Sequence, residues 1–220
     1  DFTLANTSGV SYTAGSSTII ISRDFIDSGG KLVAGTSTVT MNGTGNMTFA
    51  AGQQFYNLSI GYSTYTTTLP NTQNVINNGG TLTLNGGTVN SLGTSNTVIY
   101  CSTACTPLVF SSPTTLTGNR VMYFQHNSGT FNYTIPGGNY GSWHVATNSN
   151  TNNSDYIIGG NITTTGGFYL RSPNGQTGNT LNTQNYSITA ADFRLGYITT
   201  GSWAVTLGSS TVTLSGLLRV

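Results

Sequence analysis

Two aspartates beside an arginine are the closest set of groups in the chain that could perform acid–base chemistry. Asp24 and Asp27 follow Arg23 in the run Arg-Asp-Phe-Ile-Asp. Enzymes that cleave polysaccharides use two carboxyl groups at a defined separation, one as general acid and one as base or nucleophile. With a spacing of three residues in a strand and turn context, the two carboxyl groups point in different directions, so we expect them in a solvated turn. We therefore predict no catalytic residue here.

The other titratable residues are too few and too scattered to form a recognisable active site. The chain has five acidic residues, all Asp, and two His. His126 lies in a predicted turn after a strand, and His144 lies between apolar residues of a strand and points away from them. We therefore expect both to be surface histidines or residues of a strand ladder. The glycine runs lack the following helix and Lys of a phosphate loop. We predict no enzymatic activity, cofactor or metal, and an ion pair between Asp192 and Arg194 on one strand face.

The chain has two cysteines, Cys101 and Cys105, with three residues between them. They could form a disulfide across a tight loop, remain as free thiols or supply half of a zinc site. Zinc needs two further ligands, and only His126 and His144 could offer nitrogen. We favour the disulfide, which is typical of oxidising compartments. We therefore expect the protein outside the cell or at the cell surface.

Charged residues make up 5% of the 220 residues and the net charge is +1. Nucleic-acid binding requires many cations to neutralise phosphates, so this partner class is excluded. Long helices draw on Glu, Lys, Arg, Ala and Leu, and most of these are scarce here. The sequence contains no run of 18 apolar residues, so it predicts no membrane-spanning helix.

Short runs with alternating apolar and polar residues follow one another along the whole chain, separated by turn signals rich in Gly, Asn and Ser. Period-two alternation with β-branched and aromatic residues predicts half-buried strands, and no stretch shows a helical period. The chain is therefore predicted to be all-β. Examples of these runs lie at 38–41, 56–60, 81–84, 168–170, 186–188, 203–207 and 211–214.

Internal repetition favours a parallel β-solenoid, in which short strands stack turn upon turn, over the alternative of a β-sandwich. Residues 34–43 return in similar form at 207–216. We interpret residues 1–220 as a single domain, with diverged repeats at about 35–120 and 121–206 and a partial repeat at 207–220. Stacked strands also explain the composition, because ladders of Thr, Ser and Asn tolerate stacking whereas like charges opposed across strands repel.

The repeat motifs resemble those of a family of secreted proteins. STVT at 37–40, GTG at 43–45 and FYNLSI at 55–60 are similar to repeats of the Thr/Asn/Gly-rich parallel β-helix surface and adhesin-like proteins of bacteria and archaea. Residues 29–92 match this pattern well and residues 129–216 more loosely, whereas the part around 101–125 departs from it. The resemblance implies a solenoid fold and a surface location rather than any particular activity.

Two groups of residues could serve modification or ligand binding. The Asn-X-Ser/Thr sequons number about what random order would give for this composition, so they permit N-glycosylation without indicating it. They begin at Asn6, Asn42, Asn46, Asn57, Asn132, Asn152, Asn161 and Asn185. A set of aromatic residues could line a sugar-binding face or a subunit contact, or could instead fill the core. These are Tyr56, Tyr62, Tyr65, Tyr140, Trp143, Tyr169, Tyr186, Tyr197 and Trp203.

Apolar strand sequence without a polar cap lies near both termini, and a solenoid end of this kind leaves an edge that can pair. We predict that this edge contacts copies of the same chain or neighbouring repeats, through strand stacking or strand exchange. The first hypothesis is a structural subunit of an extracellular filament or cell-surface assembly. The alternative is a glycan-binding adhesin segment of a larger secreted surface protein. The predicted contact residues are Phe2, Leu4, Val212, Leu214, Leu217 and Leu218.

Overall fold

The computed structural model describes residues 1–4, 11–50, 52–102, 105, 107–126, 132–149, 152–171, 176–197 and 202–219. These residues form strands and turns without a helix. Every strand pairing is parallel, which confirms the predicted β-solenoid and rejects the alternative sandwich, whose sheets are antiparallel. None of these described residues forms a helix that is long and apolar enough to cross a membrane.

Most strands are short because each crosses one side of a narrow solenoid before the chain turns, whereas the two longest strands cross two sides. In chain order they are β1 (Phe2–Leu4), β2 (Ser11–Thr13), β3 (Thr18–Ile21), β4 (Phe25–Asp27), β5 (Lys31–Val33), β6 (Thr38–Met41), β7 (Gly45–Thr48), β8 (Gln53–Ile60), β9 (Thr66–Leu69), β10 (Asn74–Asn85), β11 (Thr88–Ser91), β12 (Asn96–Cys101), β13 (Leu108–Ser112), β14 (Thr115–Gly118), β15 (Val121–His126), β16 (Asn132–Ile135), β17 (Gly138–Asn139), β18 (His144–Ser149), β19 (Asp155–Ile158), β20 (Ile162–Thr163), β21 (Phe168–Arg171), β22 (Asn179–Asn182), β23 (Ile188–Ala190), β24 (Phe193–Tyr197), β25 (Trp203–Thr206), β26 (Val212–Leu214) and β27 (Leu218–Arg219).

Strands of successive turns stack into three faces. Face 1 consists of the sheet β1-β4-β7-β9-β11-β14 and the later sheet β17-β20-β23-β26. Face 2 consists of β2-β5, the first halves of β8 and β10, and β12-β15-β18-β21-β24-β27. Face 3 consists of β3, β6, the second halves of β8 and β10, β13, and the sheet β16-β19-β22-β25. Each complete turn of the described chain therefore runs through face 1, face 2 and face 3 in that order.

The length of a turn varies along the solenoid, which hides the repeat in the sequence. Thr38 pairs with Asn57, 19 residues later, whereas Thr117 lies opposite Asn90 and the two side chains, 27 residues apart, share a hydrogen bond. The predicted long repeats at 35–120 and 121–206 and the partial repeat at 207–220 stay predictions. The period that it does contain is the single turn.

The interior is one continuous apolar column lined by the inward side chains of all three faces. Like residues stack on like between turns. The rings of Phe168 and Phe193 lie 5.5 Å apart with an interplanar angle of 8°. Tyr133 and Tyr156 stack at 5.5 Å. Burying one such ring stabilises the fold by about 1.5–3 kcal/mol, so the stacked rings supply much of the cohesion between turns.

Asparagine side chains join successive turns at the corners. The Oδ1 atom of Asn57 accepts a hydrogen bond of 3.1 Å from the Thr81 N–H group one turn later. Equivalent bonds of 2.9 Å run to Asn152 from the Thr177 N–H and to Asn161 from the Ser187 N–H. A half-buried backbone donor without an acceptor is costly, so Asn57 replaces a ladder bond that its corner loses, and Asn152 and Asn161 do the same at solvent-exposed corners. This explains why Asn is abundant where charge is scarce.

Candidate functional site

The face 1 strand of the last described turn carries the predicted contact residues Val212 and Leu214 on its inward side. Both are half-buried and pack against the core, while Thr213 between them is exposed. β26 pairs with β23 on one side, and no described strand pairs with its other side. The outer edge of β26 therefore presents backbone hydrogen-bonding groups beside two apolar side chains.

Leucines extend this apolar edge onto face 2. Leu218 in β27 lies opposite the buried Phe193, so its side chain belongs to the inward column, yet it is 62% exposed. Leu217 precedes the strand and is 51% exposed. Apolar side chains of this kind are enclosed on both sides in the core, whereas here the neighbouring turn covers them on one side only. Val212, Leu214, Leu217 and Leu218 together form what we term the late edge.

The first described turn has a matching edge, which we term the early edge and define by Phe2, Leu4, Tyr12 and Ile19. In β1, Phe2 and Leu4 are half-buried on either side of the exposed Thr3. The Phe2 ring stacks on Phe25 of the next turn at 5.7 Å, and Tyr12 is 44% exposed. The structure thus places all six predicted contact residues at two edges that each have a paired side and an unpaired side among the described strands.

The structure places Asp24 and Asp27 in different surroundings. Asp24 precedes β4 and accepts a hydrogen bond of 2.8 Å from the Asn46 N–H group. Asp27 ends β4 on its inward side and is buried, accepting a 3.1 Å bond from the Gly29 N–H. The prediction of a solvated turn is wrong for Asp27, because this residue is the last of strand β4 and its side chain faces inward. Its carboxylate accepts a hydrogen bond from the turn that follows the strand.

The histidines differ from one another. His126 is fully buried at the end of β15 and contacts the rings of Tyr133 and Tyr156. Of the predicted surface or ladder positions it therefore has the ladder position, with an inward side chain, and its expected place in a turn is wrong. β15 runs on to His126 because that residue pairs with Cys101 of the turn before. His144 is a half-exposed ladder residue, as predicted, and burial lowers its pKa below the ordinary value, with a further lowering by Arg194.

The two cysteine sulfur atoms lie at disulfide distance, and the Cys101 side chain forms part of the core. The pair therefore clips the start of the chain segment that connects β12 to β13. Among the residues that the structure describes, no three His, Cys, Asp or Glu side chains cluster as a metal site would require. A disulfide is typical of an oxidising environment.

Most candidate glycosylation sites are accessible. Asn46, Asn132, Asn152, Asn161 and Asn185 are exposed. Asn42 is half-buried, and the Asn57 amide nitrogen, the atom that a glycan would occupy, donates to the Thr38 hydroxyl at 3.3 Å. Asn6 lies outside the described residues. Glycosylation itself stays a prediction.

The aromatic residues singled out in the sequence divide into core and surface groups. Tyr140 and Trp143 are fully buried. Tyr62, Tyr65 and Tyr186 are exposed, whereas Tyr56, Tyr169 and Trp203 are half-buried, and the Tyr197 side chain lies outside the described part. Tyr62 and Tyr65 lie in the corner before β9, and Tyr186 lies in the equivalent corner before β23, five turns later.

A buried arginine was missed by the sequence reasoning. Arg120 is fully buried, and burial lowers its pKa to about 10, so the side chain stays protonated at neutral pH. Its guanidinium donates to acceptors on the two preceding turns, and none of these acceptors is a carboxylate. They are the carbonyl oxygens of Pro70, Thr72 and Asn96, the hydroxyls of Ser91 and Thr97, and Oδ1 of Asn74.

A cleft opens where the sheets of faces 1 and 3 are interrupted. β14 does not pair with β17, nor β13 with β16, whereas face 2 continues through β12, β15 and β18. The cleft has a volume of about 550 Å³ and is lined by uncharged residues that include Phe110, Ser112, Thr115 and Asn139. It coincides with the part of the chain that departs from the repeat pattern.

No protein-family model, curated protein or solved structure matches this chain.

Proposed function

We propose that this chain is a structural subunit of an extracellular filament or cell-surface assembly, extended by stacking of its late edge on the early edge of another copy. The observation that carries the proposal is the identical order of side chains in the two face 1 edge strands. β26 reads half-buried Val212, exposed Thr213, half-buried Leu214, and β1 reads half-buried Phe2, exposed Thr3, half-buried Leu4.

Face 2 supports the same register. Leu218 belongs to the inward column through its pairing with Phe193, and Tyr12 belongs to it through its pairing with the buried Leu32. Stacking β26 on β1 and β27 on β2 would therefore continue the apolar column on faces 1 and 2.

Head-to-tail contacts of this kind join unlike surfaces, and when they do not close into a ring they produce a filament. The low charge favours such an arrangement, because few groups would repel across the contact. Strand exchange between neighbouring copies is a variant of the same contact. The extracellular location belongs to this proposal and rests on the disulfide and on the repeat resemblance.

Electron microscopy of the purified chain over a range of concentrations tests the proposal. We expect unbranched fibres for the wild type and none for the double variant Leu214→Asp/Leu218→Asp, which places charges in the proposed contact. The control Thr189→Asp adds a charge at an exposed position of β23, one turn inside the edge, and should still form fibres. Monomers of the wild type at every concentration would contradict the proposal and favour neighbouring repeats as the occupant of the edge.

A further inference from the structure

The outward side of face 2 carries a cluster of arginines and tyrosines that the assembly does not require. One column of paired residues runs over five turns through Tyr123, Ala146, Tyr169, Arg194 and Arg219. Arg171 stands in the neighbouring outward column of β21. We term Tyr123, Tyr169, Arg171, Arg194 and Arg219 the arginine face.

The cations of this face lie against aromatic rings. The Cζ atom of Arg171 is 4.8 Å from the centre of the Tyr123 ring, and that of Arg194 is 4.9 Å from the centre of the Tyr169 ring. Each contact is within the range of a cation–π interaction. Such stacking uses the flat side of a guanidinium, whereas its N–H donors lie in the plane and suit the two oxygen atoms of a carboxylate or sulfate.

Small residues make the arrangement possible. The Tyr169 ring stacks on His144 at 5.2 Å, and a Cβ atom at Gly167 would stand 2.3 Å from that ring. Ala146 separates Tyr123 from Tyr169 in the column and is fully buried. The two tyrosine rings and the guanidinium groups of Arg171 and Arg194 are therefore packed against one another, whereas Arg219 is exposed.

The arginine face carries half of the Lys and Arg residues of the chain. The sequence has six Lys and Arg residues against five Asp, and three of the six lie on this face. Of the remaining cations, Arg120 is buried and Arg23 lies beside Asp1 in the first turn. Among the described residues, the carboxylate of Asp192 lies 2.7 Å from Arg194. The hydrogen bond from Arg194 lowers the pKa of Asp192, so this carboxylate is ionised at neutral pH.

We propose that the arginine face binds an acidic polysaccharide, with the guanidinium groups recognising its carboxylate or sulfate groups. Neighbouring parallel strands lie about 4.8 Å apart, so Arg194 and Arg219 on consecutive turns repeat cations along one line. A line of repeated cations and rings complements a polymer with repeated anionic groups. Nucleic acid fits less well, because neutralising a phosphate backbone requires more cations than this face supplies.

Calorimetric titration of the full chain with polymers of defined charge tests the proposal. The probes are polygalacturonate, which carries carboxylates, dextran sulfate, which carries sulfates, and neutral dextran. At low salt we expect binding to one or both acidic polymers and none to neutral dextran. The preferred polymer identifies the anionic group. Because counterions are released, the affinity should fall as salt is added.

Two variants with equal loss of charge separate this face from general attraction. Arg171→Gln/Arg219→Gln should weaken binding by at least about tenfold, because two charge-assisted contacts are lost. The control Arg23→Gln/Lys31→Gln removes two cations elsewhere and should retain most of the affinity. Arg219→Gln alone, at an exposed position, should weaken binding without disturbing the packed Tyr123 ring.

Several results would overturn the proposal. These are equal loss of affinity in the control variant, equal binding of neutral dextran, tighter binding of a single-stranded oligonucleotide, or absence of binding to both acidic polymers at low salt. Microscopy of Arg171→Gln/Arg219→Gln gives a separate readout for the assembly, which does not use these residues. Failure of one proposal therefore leaves the other to be judged by its own measurement.

Discussion

The Tyr156 hydroxyl connects two turns by donating a hydrogen bond of 3.1 Å to the carbonyl oxygen of Phe124. Its neighbour Tyr133 donates in the same manner to Ile99 at 2.8 Å. Tyr140 donates to Pro136 at 2.7 Å. All three rings are fully buried. The phenols of Tyr133 and Tyr156 join neighbouring turns and that of Tyr140 closes a corner within one turn, and each bond requires that the phenol keep its proton.

We predict unfolding in alkali above pH 10. Burial raises the pKa values of Tyr133, Tyr140 and Tyr156 above the ordinary value of 10.0. Their contribution to stability is complete below the unfolded pKa and is lost as the pH rises beyond it, because the unfolded chain then releases protons that the folded chain retains. Arg120, with its lowered pKa, acts in the opposite direction, but as one group against three.

Tyrosinate absorbance and circular dichroism recorded together over a pH titration check this prediction. The sequence has 12 Tyr, and we expect the three buried ones to ionise only as the β-sheet signal disappears. Ionisation of all tyrosines with an intact β-sheet signal would contradict the role given to the buried phenols.

Arg120 is predicted to be the most sensitive single charge in the fold. Replacing it in Arg120→Met leaves buried carbonyl and hydroxyl acceptors without their donor, and we expect a loss of about 3–5 kcal/mol in the free energy of unfolding. The control Arg23→Met, at a side chain that is 72% exposed, should change stability by less than about 0.5 kcal/mol. Urea unfolding measures both, and similar small changes in the two variants would refute the assignment.

Close stacking of two glycine corners gives a third prediction. Gly15 and Gly35 have φ angles of 60° and 57°, a left-handed conformation that costs other residues roughly 1–2 kcal/mol. A Cβ atom at Gly35 would stand 2.4 Å from the Gly15 carbonyl oxygen, whereas one at Gly15 would meet nothing within 4 Å.

We therefore expect Gly35→Ala to destabilise the protein more than Gly15→Ala, by about 1–3 kcal/mol for the additional overpacking. Thermal or urea unfolding of the two variants isolates this difference, because both pay the same conformational cost. Equal stability would show that the corners are not stacked as closely as the structure places them.

Period-two alternation was enough to predict the strands and the fold class, because alternate side chains of a strand must face opposite sides of the sheet. Thr38–Met41 is a strand as predicted, with Val39 and Met41 buried. The similar residues 211–214 also form an inward-facing run, yet β6 belongs to face 3 and β26 to face 1. The two similar sequences therefore encode the same local structure, a corner followed by a strand, at two different corners of the solenoid. For this reason their similarity does not reveal the number of residues in a turn.

The interactions of Arg120 and of the arginine face could not be read from the sequence. The acceptors of Arg120 lie between residues 70 and 97, and their approach depends on turn lengths that no local pattern encodes. Arg171 and Tyr123 are 48 positions apart and meet only because two turns bring them together. The predicted edge residues were easier to find, because apolar strand sequence near a terminus is visible without knowledge of register.

Chemical cross-linking of paired threonines tests the central proposal most directly. If the late edge of one copy stacks on the early edge of the next in the register given above, Thr213 of one copy lies opposite Thr3 of the other. The double variant Thr3→Cys/Thr213→Cys, treated with a short reagent that bridges two thiols, should give a ladder of covalent oligomers on a denaturing gel. In the control Thr3→Cys/Thr189→Cys one cysteine is displaced by one turn, so this variant should not be cross-linked and should migrate as a monomer on the same gel. Monomers only from the first variant, or equal ladders from both, would contradict in-register stacking of the two edges.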